Sequence, residues 1–114
     1  MRRFGFLSML IVLAAFVAAQ DGCQTTEWLD RDDPTGEGDY ETIVDFLEEG
    51  TLPESCAEPI SISCRTVGTH IDWTETGEVY HCDRTIGGYC VNDEQPDGTC
   101  MDYEVQFVCP PAGQ

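Results

Sequence analysis

The chain contains no lysine: its five basic residues are all arginine, and two of them, Arg2 and Arg3, stand at the extreme N-terminus. Phosphate contacts need clustered Lys and Arg, so nucleic acid is excluded as a partner, and anionic membrane surfaces are disfavoured for the same reason. The seven cysteines include no C-x-x-C pair, and the two histidines, His70 and His81, are isolated, which argues against zinc. Asn92 is the single asparagine and is followed by Asp93-Glu94, so there is no N-glycosylation sequon. No nucleophile elbow, metalloprotease helix or phosphate loop is present. His81 with Asp83 is the nearest approach to an acid–base pair, and so small a domain offers little room for a water-excluding cleft. The expectation is a protein that is not an enzyme.

What is present begins with a leader. Arg2 and Arg3 precede an almost uninterrupted apolar run from Phe4 to Ala19 that ends in Val17-Ala18-Ala19, small residues that suit signal peptidase. The run is short for a membrane span of roughly 20 residues, and a polar, acidic chain follows it at once. Residues 1–19 are therefore read as a signal peptide, and residues 20–114 as a single secreted, extracellular domain with no membrane attachment after cleavage.

Without the leader, three arginines face all 22 acids, a net charge of −19. A domain of this size buries only about two-thirds of its unfolded surface, so its core alone gives thin stability. In a secreted chain the cysteines Cys23, Cys56, Cys64, Cys82, Cys90, Cys100 and Cys109 read as a disulfide framework, each bridge contributing about 2–4 kcal/mol. Seven is odd, so one thiol is free or reaches another chain. Cys23, far ahead of the rest, is the candidate; alternatively it pairs inside the domain and another cysteine is left over.

The apolar pattern changes along the chain. Asp39 can cap a helix in which Tyr40, Ile43, Val44 and Leu47 fall at helical spacing, with Gly50 as the stop. From Ile60 the period becomes two, through Cys64 and again from Tyr103 to Cys109, with shorter strands at Val79–Cys82 and Tyr89–Asn92. Thr76-Gly77, Gly87-Gly88 and Pro96-Asp97-Gly98 supply turns. The fold class expected is α+β: a small disulfide-rich domain, mainly antiparallel sheet with one short helix.

The opening segment Cys23 to Glu41, C-x-x-T-E-W-L-D-R-D-D-P-x-G-x-G-D-Y-E, resembles the start of the WxxW domain, also called the CysD domain. Cys56 with Pro59 and Ile60, Cys64-Arg65, Gly77 to Cys82, Gly88 to Asn92 and Cys100 to Cys109 resemble its later segments in order. The resemblance covers nearly all of residues 20–114. That module occurs in gel-forming mucins, in cartilage intermediate layer protein and in oikosin-like matrix proteins. The resemblance implies a non-enzymatic matrix or mucus component whose partners are copies of itself or other extracellular matrix and mucin chains. Thr25 stands where the motif has its first tryptophan, so tryptophan C-mannosylation is in doubt. The cartilage version lacks the equivalents of Cys64 and Cys82 together, which implies that these two are partners. Cys56, Cys90, Cys100 and Cys109 would then form two more bridges.

The densest oxygen-ligand cluster is the turn-rich loop holding Asp30, Asp32, Asp33, Glu37, Asp39 and Glu41. Ca²⁺ takes six to eight hard oxygens, and mutual repulsion among so many carboxylates favours a bound cation. An EF-hand is excluded, since Thr35 replaces the glycine its loop requires. The resemblance also implies calcium. Asp30, Asp32, Asp39 and Glu41 are the candidate ligands, with Asn92 completing the site through the fold. Trp28 reads as core beside Phe46 and Phe107 or as an interaction anchor, and Trp73, in a polar stretch, as an exposed interaction residue. The alternative function is an acidic secreted calcium- or mineral-interacting protein that does not self-assemble.

Overall fold

A computed structural model describes residues 22–111; the signal-peptide reading of residues 1–19 lies outside them. Two three-stranded antiparallel sheets form the domain. The first has the order β1 (Gln24–Thr25), β6 (Tyr103–Cys109), β3 (Ser61–Thr66), and the second β2 (Gly38–Thr42), β5 (Gly87–Val91), β4 (Tyr80–Asp83). Among the described residues one helix, α1 (Ile43–Glu49), and short 3-10 turns join them. The α+β architecture expected from the sequence is the one observed.

The period-two segments set the core. In β6, Tyr103, Val105, Phe107 and Cys109 turn inward and are buried, while Glu104, Gln106 and Val108 alternate outward. Phe46 of α1 meets Phe107 edge-on with ring centroids 6.2 Å apart, and Tyr80 stacks on Tyr103 at 3.9 Å. These aromatics close the space between the sheets. Gly88 is needed there: a Cβ on it would lie 2.2 Å from the Tyr80 hydroxyl and 2.8 Å from Val105 Cγ1.

Three disulfides clamp this core. Cys64–Cys82 joins β3 to β4 and so ties one sheet to the other. Cys56–Cys109 fixes the end of β6, and Cys90–Cys100 links β5 to the segment before β6. Cys23 is free and half-buried.

Two local expectations are corrected. The helix does not start at Asp39, because residues 38–42 are drawn into pairing with β5, where Asp39 and Glu41 alternate inward with a period of two. Thr42 is the cap instead, its Oγ1 accepting from the Asp45 N–H. Gly50 ends the helix at φ 79°, as the sequence suggested. Gly87-Gly88 is not a turn. The turn comes earlier, at residues 84–86, and Gly87 lies in β5 at φ 117°, where a Cβ would be 2.6 Å from the Glu41 carbonyl.

Candidate functional site

Strand alternation carries Asp39 and Glu41 of β2 into the interior, where both are fully buried. Asp39 is anchored by the Tyr103 N–H, which donates to its Oδ2 at 2.6 Å. Glu41 is anchored by the N–H groups of Arg31 and Asp32, which donate to its Oε2 at 2.7 and 3.2 Å. The segment before β2 arrives through Leu29, which exchanges both backbone bonds with Val105 of β6 and so delivers Asp30. The residue before β6 delivers Asp102. One carboxylate oxygen from each of Asp30, Asp39, Glu41 and Asp102 lies within 4.8 Å of the others.

One oxygen each of Asp39 and Glu41 is satisfied by these bonds; the other is not. Asp39 Oδ1, Glu41 Oε1 and Asp102 Oδ1 are buried without a hydrogen-bond partner, as is the Tyr80 hydroxyl. None of the ion pairs among the described residues involves any of the four carboxylates. Leaving buried charge unpaired is costly, so the cluster must take up protons or a cation. Burial raises the Asp30 carboxyl to about 6, with Asp102 and Asp33 adding repulsion. Burial likewise pushes Asp39 and Glu41 up, Glu41 further because Asp39 faces it. Burial and then Asp33 raise Asp102. Four hard oxygens converging at this spacing fit Ca²⁺, which accepts irregular shells with ligands at roughly 2.3–2.6 Å.

The structure brings together three of the sequence-derived candidates, Asp30, Asp39 and Glu41, and leaves out two. Asp32 turns to the open edge of β2, where its Oδ2 accepts from the Tyr40 N–H at 2.8 Å. Beside it the Arg31 guanidinium donates to the Tyr40 carbonyl. Asn92 is engaged elsewhere: its Nδ2 donates to the Gly36 carbonyl and its Oδ1 accepts from the Cys100 N–H. It therefore stitches two loops together and does not complete the carboxylate group. Asp102 takes that place. Its signal was its position beside Tyr103, whose N–H binds Asp39, a pairing that the sequence alone does not announce.

Both tryptophans stand between core and solvent. Trp28 is half-buried, with the Arg65 guanidinium 3.7 Å from its ring centroid and Arg65 bonded in turn to Glu104. It does not pack beside Phe46 and Phe107, which face each other. Trp73 is half-buried in a 3-10 turn and packs on the core, its ring 6.2 Å from Tyr80, so it is not a free-standing anchor. Among the described residues no helix is long and apolar enough to cross a membrane.

Two cross-linked antiparallel sheets around a carboxylate cluster that runs from buried Asp39 and Glu41 to exposed Asp30 define a small disulfide-stapled module. The chain belongs to the family described as the Mucin-2 protein WxxW repeating region, which matches residues 25–109. It is 39% identical over 90 residues to human cartilage intermediate layer protein 1. It is 33% identical over 95 residues to human cartilage intermediate layer protein 2, and 30% identical over 94 residues to human Mucin-5AC. These matches cover 75%, 80% and 79% of this chain but 7%, 8% and 2% of the respective relatives. The chain thus corresponds to one module of much longer proteins.

Proposed function

We propose that this chain is a secreted, non-enzymatic structural module of extracellular matrix or mucus. It associates with copies of itself or with other matrix and mucin chains, and Ca²⁺ held by Asp30, Asp39, Glu41 and Asp102 stabilises it. The observation that supports the reading most is the carboxylate cluster with unpaired buried oxygens on Asp39, Glu41 and Asp102, set inside a family module whose relatives are named as cartilage-layer and mucin proteins. The cation would supply charge neutralisation between the two sheets. The residues themselves contribute the rest: Asp39 locks the start of β6, and Glu41 locks the loop at Arg31 and Asp32. The free Cys23, at the N-terminal edge of the first sheet, offers a covalent link to a second chain.

Sedimentation velocity separates this reading from an acidic calcium- or mineral-interacting protein that works alone. Runs are made with calcium or chelator, under reducing and non-reducing conditions. The expected result is concentration-dependent association in calcium, with a reducible dimer that Cys23→Ser removes. A monomer under every condition sinks self-association.

A further inference from the structure

The outer face of the second sheet carries a row of aromatic rings that the cation site does not use. Tyr40, Tyr89 and His81 are mutual register partners across β2, β5 and β4, so their side chains stand side by side on one face. The Tyr40 and Tyr89 rings are parallel within 5° with centroids 5.9 Å apart, and His81 stacks on Tyr89 at 4.5 Å. All three are half-buried.

Acids border this row, and the one arginine that reaches it, Arg31, is held at the Tyr40 carbonyl and by Glu49. The Asn92 N–H donates to the Glu37 carbonyl and Asn92 Nδ2 to the Gly36 carbonyl, which sets Glu37 beside Asp93 and Glu94. Glu37, Asp93 and Val91 line a shallow cavity of about 470 Å³, and Glu37, Asp93 and Glu94 are exposed. Burial and then Glu37 and Glu94 raise the Tyr40 hydroxyl, so these carboxylates act on the ring row itself. The three arginines of the described residues are already engaged: Arg31 with Glu49 and the Tyr40 carbonyl, Arg65 with Glu104, Arg84 with the Pro59 carbonyl. His81, bonded to Glu94, is the single titratable base at the row.

We propose that the Tyr40–Tyr89–His81 row and its Glu37–Asp93–Glu94 rim form a docking site for an arginine-bearing basic peptide segment of another extracellular chain. Charge complementarity selects the occupant. Guanidinium groups stack on tyrosine faces and pair with carboxylates, whereas an anionic segment is repelled and a neutral glycan leaves the rim charges unanswered. The site is independent of the calcium cluster, because strand alternation puts it on the opposite face of the same sheet.

The test uses the purified secreted chain in calcium and a fluorescein-labelled ten-residue Gly-Arg repeat peptide, read by fluorescence anisotropy. Saturable binding is expected, weakened by salt. The triple change Glu37→Gln, Asp93→Asn, Glu94→Gln should weaken it about tenfold. The pair Tyr40→Ser, Tyr89→Ser, which keeps the charge, should weaken it about fivefold. Glu48→Gln, Glu54→Gln, Glu58→Gln removes equal charge from exposed sites elsewhere and should change it less than about twofold. The proposal is overturned if the distant triple weakens binding as much as the rim triple. It is also overturned if the peptide fails to bind while a neutral chito-oligosaccharide binds in a tyrosine-dependent way. Should the tyrosine pair unfold the domain, the two triples still decide.

Discussion

Strand β2 and the turn before it place acids in two environments. Asp39 and Glu41 point inward and are fully buried, whereas Glu37, with Asp93 and Glu94 across the sheet, lies in solvent. The side chains are chemically the same and positions 37, 39 and 41 share one alternation phase; Glu37 lies in solvent because it belongs to the turn before β2 begins at Gly38. Inside, each carboxylate is anchored through one oxygen and unpaired at the other, so it demands a counter-charge. Outside, water screens the charge and the same groups are free to meet a partner. Acidity in this chain therefore meets two environments, one buried and one open to solvent.

Breaking the inner group should have the largest effect. Asp39→Ala removes a proposed cation ligand and strands the Tyr103 N–H, so in calcium it should lose about 3 kcal/mol, measured by urea unfolding. In chelator the loss should shrink, because one of the mutually repelling carboxylates has gone. Gly88→Ala comes next. The new Cβ collides with the Tyr80 hydroxyl and Val105 between the sheets, an overpacking that should cost about 2 kcal/mol with the charge unchanged.

The inner acids should also show in the pH dependence of the calcium-free protein. Asp30 titrates near 6 in the folded state because of burial first and then Asp102, and Asp39 and Glu41 are raised as well. Unfolded carboxylates titrate near 4, so above that pH the folded state binds more protons than the unfolded one. Stability from these groups is full below about pH 4 and is lost as pH rises through 6 and beyond. The midpoint of thermal unfolding in chelator should therefore fall between pH 5 and 7.5, and added calcium should reverse the trend at the upper end. The outer group should do least: Glu94→Gln breaks a half-exposed pair with His81 and should cost under about 0.5 kcal/mol in the same unfolding assay.

Much of this was legible in the residues, and the reasons for the gaps are specific. The strict alternation from Tyr103 to Cys109 gave β6 with its bounds, and Gly50 gave the helix stop, because both signals are local. The helix start was misread because Tyr40, Ile43, Val44 and Leu47 fit a helical face until β5 claims residues 38–42. Asp30, Asp39 and Glu41 could be found because one loop and strand carry them. Asp102 could not, since what brings it in is β6 lying against β2, with Tyr103 bonded to Asp39 across 64 positions. Asn92 and Asp32 had the right chemistry, but backbone groups nearby claim their side chains.

Calcium titration of the purified chain by isothermal calorimetry, repeated on Asp102→Asn, tests the central claim most directly. The account predicts one saturable site with Kd of roughly 0.1–1 mM, lost or greatly weakened in Asp102→Asn. Absence of heat from the unmodified chain at ten times that concentration, or equal binding by the variant, would contradict it.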